Sequence, residues 1–233
     1  MKPWTCFEIV GPPGAGKTTL ALELEKRNQF HLRHPPDWRQ FKYLPFFVKS
    51  GLSLAPAFAL RTLGRQGRWL KREELFDVIF LQGWHRQLTR QGPEGGVVIL
   101  DQGPVYMLLE MILIGQGQIA NPPYGEWWKK ILGRWKHVLD GIVWLDTSDL
   151  VLAHRINARE KNHSVKGASL SQTRDFLERS RAALNQAMAM LRAARCTPAV
   201  MSFDTGRQSL NEIADKLSRE IQSLKSLGKS GSG

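Results

Sequence analysis

Eight residues near the start of the chain have the types and the spacing that bind phosphate. Residues 11–18 match the pattern G-x-x-x-x-G-K-[ST] without a mismatch. Glycines let the backbone wrap around an anion and turn its N–H groups inward, and a following helix N-terminus adds partial positive charge. The pattern therefore predicts a nucleotide-binding loop. Its candidate residues, with the next threonine, are Gly11, Pro12, Pro13, Gly14, Ala15, Gly16, Lys17, Thr18 and Thr19.

Three side chains around this loop have predicted tasks in phosphoryl chemistry. Lys17 can reach the β- and γ-phosphates of a nucleotide, and the Thr18 hydroxyl can ligate Mg²⁺. Asp101 ends a short apolar run that is typical of a buried parallel strand. We predict that Asp101 binds Mg²⁺ or contacts an acceptor hydroxyl, with a helix-capping carboxylate as the alternative. The predicted cofactors are ATP and Mg²⁺, and the predicted metal residues are Thr18 and Asp101.

Two absent sequence features narrow the class of protein. A GTPase would normally carry an N-K-x-D motif on a later strand, and the chain has none. A motor-type ATPase usually ends its magnesium strand in Asp-Glu, where the glutamate activates water. Here Gln102 follows Asp101, and an amide cannot act as a general base. Transfer to an acceptor other than water is therefore favoured over hydrolysis.

Two arginines later in the chain are candidates for stabilising transferred charge. Arg155 and Arg159 are four residues apart in a helix predicted to run to Glu160, so their guanidinium groups should share one face. Such cations stabilise most where negative charge develops on a transferring phosphoryl group. The alternative is an ordinary solvated basic face. Further cationic residues extend this candidate lid: Lys161, His163 and Lys166.

The acceptor is predicted to bind in the aromatic, basic and helix-prone region 34–95. Asp37 is a candidate general base for an acceptor hydroxyl. Gln82 and Arg86, one helical turn apart, could recognise a polar head group or lie on a helix surface. The apolar residues of 41–70 could form core, a dimer surface or an acceptor pocket. The candidate acceptor-binding residues are Arg33, Arg72, Gln82, Arg86 and Gln102.

The elements that must position these residues alternate between strands and helices. Short apolar strands are predicted at 5–10, 29–33, 97–100, 140–146 and 199–203, with amphipathic helices between them. This order predicts an α/β fold with a doubly wound parallel sheet of five strands and three α/β/α layers. Ligands of such sheets bind at the carboxyl ends of the strands, where the phosphate loop and Asp101 fall.

The motifs resemble the nucleotide kinase branch of the P-loop proteins, which includes nucleoside monophosphate, thymidylate and deoxynucleoside kinases. The phosphate loop, the strand that ends in Asp101 and the arginine-bearing stretch 153–163 carry the resemblance. It implies a kinase, an arginine-bearing lid, and an adenine pocket near Asp204 after the last strand. One departure is Gln102, which stands where these kinases usually place an arginine. Either another arginine substitutes for it or the acceptor differs from a standard nucleotide.

This resemblance gives one kinase-like domain over residues 1–227. Its core would comprise 1–33, 97–150 and 196–227, its acceptor-binding region 34–95, and its lid about 153–168. The Gly- and Ser-rich residues 228–233 are predicted to be a flexible tail.

Charge is the unusual part of the composition. The chain has 33 Lys and Arg against 21 Asp and Glu, a formal net charge of +12. Such a surplus indicates a polyanionic partner: a phosphate-rich small molecule, nucleic acid or an anionic membrane surface. The alternative function is therefore a nucleotide-switched binding protein whose basic surface contacts nucleic acid or a membrane. The sequence leaves a homodimer open.

Cysteine usage and hydropathy predict the compartment. Cys6 and Cys196 lie in or beside apolar segments and have no metal-ligand spacing, which predicts buried free thiols and a reducing cytoplasm. No signal peptide is recognisable, and polar residues interrupt the most apolar stretch, 97–115, so no transmembrane segment is predicted.

Overall fold

The computed structural model describes residues 2–36, 40, 43–52, 72–114, 125–160 and 163–230. Five parallel strands form one sheet in the order β2-β3-β1-β4-β5. This confirms the predicted parallel α/β fold and places the strand before the phosphate loop at the centre of the sheet. The strands are β1 (Thr5–Val10), β2 (Phe30–Arg33), β3 (Val97–Leu100), β4 (Gly141–Asp146) and β5 (Ala199–Asp204).

Helices cover both faces of the sheet. Within the described residues they are α1 (Lys17–Glu25), α2 (Leu44–Leu52), α3 (Arg72–Gln91), α4 (Pro104–Ile114), α5 (Gly125–Gly133), α6 (Asp149–Asn157), α7 (Leu170–Ala193) and α8 (Leu210–Ser230), with a 3₁₀ turn at Trp135–His137. Helices α1 and α8 pack on one face, and α3, α4 and α5 on the other. The helices therefore shield both faces of the central strands from solvent, as the continuous apolar runs of these strands predict.

Local sequence explains where two of the helices begin. Ser169 and Gln172 form a capping box at the start of α7, in which each side chain bonds the other residue's backbone N–H. Ser209 and Glu212 make the same reciprocal pair before α8, at 2.7 and 3.2 Å, as the sequence predicts. Each box satisfies N–H groups that have no partner inside the helix.

Helix α6 ends earlier than the sequence predicts. It stops at Asn157 rather than near Glu160, so the prediction that Arg155 and Arg159 share one helix face is wrong. The Asn157 side chain accepts a hydrogen bond from the Gly167 N–H at 2.9 Å, which ties the following loop back to the helix end. Arg159 consequently lies in the turn beyond the helix.

The described part of the apolar 41–70 region packs on one side only. Phe46 and Phe47 of α2 contact the aromatic rings of α3, with the Phe47 and Phe80 centroids 5.5 Å apart. The opposite side of α2 leaves Leu44 and Val48 about half exposed. Residues 53–71 lie outside the described residues.

Both cysteines are buried free thiols, as predicted. None of the helices in the described ranges is long and apolar enough to cross a membrane.

Candidate active site

The phosphate loop joins the carboxyl end of β1 to the N-terminus of α1. Gly11, Gly14 and Gly16 have φ angles of 149°, 89° and 90°, which residues other than glycine rarely adopt. A Cβ on Gly11 would also lie 2.0 Å from the Leu145 carbonyl of β4. These glycines keep the loop close to the sheet. Helix α1 has no side-chain cap and no acidic residue in its first turn, so its N-terminal field stays available to an anion.

Lys17 lies across the loop that it belongs to. Its Nζ donates to the carbonyls of Gly11 at 2.8 Å and Pro12 at 3.1 Å. Burial and, to a smaller extent, the nearby charge of Arg159 lower the pKa of Lys17 to about 8, while Asp101 and Glu110 oppose the shift. An anion bound in the loop would favour the charged ammonium, so this lysine is suited to bind phosphate.

The two predicted metal residues lie at neighbouring strand ends. Thr18 is exposed at the start of α1, and Asp101 follows β3, which pairs with β1 from Thr5↔Val97 to Glu8↔Leu100. A hydroxyl and one carboxylate, both oxygen donors, suit Mg²⁺, which usually keeps waters and substrate phosphates as its other ligands. The described residues contain no cluster of three or more His, Cys, Asp and Glu side chains that would hold a transition metal. The residues present therefore fit Mg²⁺.

Arg155 connects the lid helix to two other parts of the site. Its guanidinium donates to the Thr205 hydroxyl at 2.9 Å and to the Thr205 carbonyl at 2.8 Å, and it lies 3.4 Å from the Gly14 carbonyl. Leu152 and Ile156 of α6 pack directly over Gly14. The side chain of Arg155 thus holds the phosphate loop, the lid helix and the turn after β5 in one arrangement.

Arg159 is placed differently from Arg155. It is exposed in the turn after α6, and its charge lowers the pKa values of both Lys17 and His163. Lys166 donates to the Arg159 carbonyl, while the His163 ring packs against Phe176 with centroids 5.4 Å apart. The structure therefore brings Arg159 near Lys17 with its guanidinium accessible to a ligand.

A cavity of about 350 Å³ opens where the phosphate loop, the lid and the turn after β5 meet. Volumes in this range hold small-molecule ligands. We call this cavity and its walls the donor side. Its lining residues are Gly14, Gly16, Thr19, Arg155, Arg159, Thr205, Gln208, Ser209 and Leu210.

Asp204 stabilises the turn after β5, which forms one wall of this cavity. Its Oδ1 accepts from the Gly206 N–H at 2.8 Å, and this bond, with one to Thr147, holds the pKa of the Asp204 carboxyl below its usual value. A Cβ on Gly206 would lie 2.2 Å from the Thr147 hydroxyl, so the turn is tightly packed. The predicted residue Asp204 thus shapes the turn, and its neighbour Thr205 lines the cavity.

A second group of polar residues lies beside Lys17 on helix α4. The Tyr106 hydroxyl bonds the Glu110 carboxyl one helical turn away, and both side chains are half-buried. Burial raises the pKa of Glu110, while the hydrogen bond from Tyr106 and the charge of Lys17 lower it. The negative charges of Asp77 of α3 and Asp101 both raise the pKa of Tyr106. We call Asp77, Asp101, Tyr106 and Glu110 the acceptor side.

Comparison with solved structures decides the fold family. Thymidylate kinase from Candida albicans matches with a TM-score of 0.56 and 14% identity, over 96% of this chain and 93% of that one. Deoxyadenosine kinase from M. mycoides with bound dATP matches with a TM-score of 0.51 and 14% identity, over 94% and 100%. The chain has a P-loop kinase fold.

Another P-loop kinase fold match is the YorR protein from Bacillus subtilis, whose structure is a complex with phosphorylated GDP. Its TM-score is 0.53 at 17% identity, over 94% of this chain and 96% of that one. Neither a protein-family model nor a curated protein matches the sequence. The likeness is therefore one of fold over nearly the whole chain.

Within this P-loop kinase fold, the predicted acceptor residues are scattered. Arg33 is exposed at the end of β2, and Gln102 is exposed directly after Asp101. Gln82 is buried in the middle of α3. Arg86 is exposed one turn later, where its charge acts on His85 and Arg134. Two predictions lie outside what is described: Asp37, and the side chain of Arg72, although the backbone of Arg72 begins α3.

Several residues of the site carry no motif of their own and were not named as site residues from the sequence, among them Thr205, Gln208, Tyr106 and Glu110. Thr205 and Gln208 line the donor cavity only because β5 ends beside β4. Tyr106 and Glu110 form an i, i+4 pair of polar residues on an otherwise apolar helix, α4. That spacing was the available signal, since a polar pair on a buried helix indicates a shared partner or a cleft.

Proposed function

We propose that the protein is a Mg²⁺-dependent phosphotransferase that moves the γ-phosphoryl group of ATP to a small-molecule hydroxyl or phosphate. The supporting observation is the donor cavity, which joins the phosphate loop, Arg155, Arg159 and the turn after β5 in one space of about 350 Å³. A purely hydrolytic site would need a water-activating base, and exposed Gln102 follows Asp101 at the position where such a base would stand.

On the donor side, the backbone N–H groups of the loop and the α1 N-terminus would cradle the phosphates. Lys17 would exchange its carbonyl contacts for the β- and γ-phosphates, and binding would keep its ammonium protonated. Thr205, Gln208 and Leu210 line the wall where the base of the nucleotide would lie. Thr18 and Asp101 would hold Mg²⁺, which supplies charge neutralisation between the phosphates.

The cations have separate tasks in this proposal. Arg155 is already bonded to Thr205, so it would shape the nucleotide pocket. Arg159 would close over the transferring group and stabilise the negative charge on its equatorial oxygens. Closure also excludes water, which strengthens this interaction and protects the phosphoryl group from hydrolysis.

The acceptor would approach from the opposite side of Lys17, between Asp101 and the Tyr106–Glu110 pair. These groups can accept or donate hydrogen bonds to a hydroxyl-bearing molecule. Asp37 stays the predicted general base for the acceptor hydroxyl, and Arg33, Arg72, Gln82, Arg86 and Gln102 stay predicted acceptor residues. Because the matched structures include a thymidylate kinase and a deoxyadenosine kinase, we propose nucleosides and nucleotides as the first acceptors to test.

The test is a mass-spectrometric screen of a metabolite pool with ATP and Mg²⁺. We expect a product heavier by one phosphoryl group, with one ADP formed for each product molecule, and neither with Lys17→Ala. Lys26→Ala is the matched control, since Lys26 is an exposed lysine of the turn after α1 that is ion-paired with Glu23. ATP binding without consumption in any pool would contradict the proposal and favour a nucleotide-switched binding protein.

A further inference from the structure

Glu8 is a fully buried carboxyl in the central strand β1, three residues before the phosphate loop. Its Oε2 accepts from the Val105 N–H at 2.9 Å, and its Oε1 accepts from the Tyr106 N–H at 2.8 Å. These two hydrogen bonds from successive backbone N–H groups make this carboxyl a cap for the N-terminus of α4, supplied from a different strand.

Helix α4 needs such a cap because its own sequence lacks one. The residue before it is Gly103, its first residue is Pro104, and its first turn contains no acidic side chain. The first N–H groups of a helix have no partner within the helix, and leaving them buried without an acceptor is costly. Glu8, 97 residues away from Val105 in sequence, fills that role.

The turn between β3 and α4 packs closely around the Glu8 side chain. A Cβ on Gly103 would lie 2.5 Å from the Glu8 carboxyl carbon and 2.6 Å from its Oε2. Gly103 does not have a positive φ. Glycine is needed here because any side chain would collide with the Glu8 carboxyl group. Glu8 also pairs in register with Leu100, the residue immediately before Asp101. The side chain therefore contacts the turn that carries Asp101.

Burying the carboxyl group of Glu8 costs free energy of desolvation. Burial raises the pKa of Glu8 to about 8, although the backbone N–H groups of Val105, Tyr106 and Gly103 oppose the rise. A neutral side chain with a hydroxyl or amide could cap a helix at lower desolvation cost. What the carboxyl group adds is two oxygens that face two successive backbone N–H groups at once.

We propose that Glu8 is a positioning residue that fixes Asp101 relative to the phosphate loop. It links β1, which leads into the loop, to the turn that presents Asp101 and to the helix that carries Tyr106 and Glu110. This inference rests on the proposed function, in which Asp101 helps to hold Mg²⁺. Glu8 would thereby couple nucleotide binding to metal binding without touching the nucleotide or the metal.

The test compares nucleotide binding with and without the metal, so that it needs no acceptor and no turnover. The affinity for a non-hydrolysable ATP analogue is measured by calorimetry in EDTA and in Mg²⁺, and the ratio of the two is the metal gain. Glu8→Gln keeps the shape but places an amide donor against a backbone N–H. We expect its affinity in EDTA to stay within about twofold of the wild type and its metal gain to fall about tenfold.

Asp140→Asn is the matched control. The Asp140 carboxylate also accepts from a β1 backbone amide, that of Cys6 at 2.7 Å, but at the end of the strand away from the phosphate loop. We expect this variant to lose thermal stability with an unchanged metal gain. Asp101→Asn tests the proposed metal role itself and should lose the gain entirely.

The outcomes separate the two proposals. If Asp101→Asn loses the metal gain and Glu8→Gln keeps it, the positioning role is overturned while the metal role stands. If Asp101→Asn keeps the gain, the metal role fails, and the inference fails with it. Glu8→Asp is the second variant, because it keeps the carboxyl group with a shorter reach. If neither Glu8 variant folds, Glu8 is required for the fold as a whole and the specific inference is overturned.

Discussion

The phosphate loop takes its ligand-facing groups from one short segment, whereas the acceptor side takes its groups from separate segments. Residues 11–18 supply the loop backbone, Lys17 and Thr18 together, and glycine geometry sets their positions. Asp77, Asp101 and Tyr106 belong to α3, the end of β3 and α4, and Glu8 of β1 accepts a hydrogen bond from the Tyr106 backbone N–H. Local chemistry therefore builds the phosphate loop, and tertiary packing builds the acceptor side and the other walls of the donor cavity.

The largest effect should come from the local motif. Lys17→Ala removes the ammonium that would bind the transferring phosphate, and we expect turnover to fall on the order of 10³-fold. The unfolding temperature should not decrease, because burial disfavours the charged lysine in the folded protein. Steady-state kinetics and thermal unfolding measure both. Turnover equal to that of Lys26→Ala would remove Lys17 from the mechanism.

The two lid arginines should differ in which kinetic constant they affect. Arg159→Ala removes an accessible cation near Lys17, so we expect kcat to fall about 10²-fold with little change in the KM for ATP. Arg155→Ala breaks the bonds to Thr205 and should chiefly raise the KM for ATP. Each of these two variants serves as the matched control for the other. Identical effects on both constants would contradict the division of tasks.

An intermediate effect should mark the acceptor side. Glu110→Gln keeps the shape of the side chain and removes its charge, and we expect kcat/KM for the acceptor to fall about tenfold. The dissociation constant for ATP should not change, since Glu110 does not line the donor cavity. Glu94→Gln, on an exposed loop, is the control. Weaker ATP binding in Glu110→Gln would show that the two sides are not separable at this residue.

A smaller effect should follow from the lowered pKa of Lys17. With a pKa of about 8 in the free protein, Lys17 is largely neutral at pH 8.5 and must take up a proton when phosphate binds. Affinity for ATP should therefore fall about fourfold between pH 7 and pH 8.5, with uptake of about three-quarters of a proton at the higher pH. Calorimetry in buffers of different ionisation enthalpy measures the uptake. Lys17→Arg should abolish it, because arginine stays protonated.

The smallest effect is expected at Arg86. Its charge acts on His85 and Arg134, and neither of them lines the donor cavity or belongs to the acceptor side. We expect Arg86→Ala to change the KM for the acceptor by less than about twofold, which would favour the helix-surface alternative that the sequence leaves open for Arg86. A rise of tenfold or more would instead support the recognition role that the sequence predicts for Arg86 and extend the acceptor side along α3.

The comparison also explains how much the sequence could predict. The strand before residue 11, the loop itself and the helix after it are contiguous, so one motif with its flanking pattern predicts all three. The five parallel strands follow from apolar runs and alternation, and the structure confirms them. Asp101 was a candidate because a strand end is recognisable from the sequence on either side of it.

Other features depend on contacts that no local pattern contains. Helix α6 ends at Asn157, whose side chain accepts a hydrogen bond from the distant Gly167 N–H, and Arg159 lies beyond the helix. The role of Glu8 depends on a register of β1 against β3 that brings residue 8 under residues 103–106. A glutamate in an apolar strand is a sequence signal of a buried polar contact, but its partner can be named only once the sheet order is known.

The most direct test of the account is the fate of the γ-phosphoryl group. The wild-type protein is incubated with ATP, Mg²⁺ and a pool of nucleosides and nucleotides, and ADP, inorganic phosphate and phosphorylated products are quantified together by mass spectrometry. We expect ADP and one phosphorylated acceptor in equal amounts, with little free phosphate. ADP matched by free phosphate, with no phosphorylated acceptor, would contradict the account.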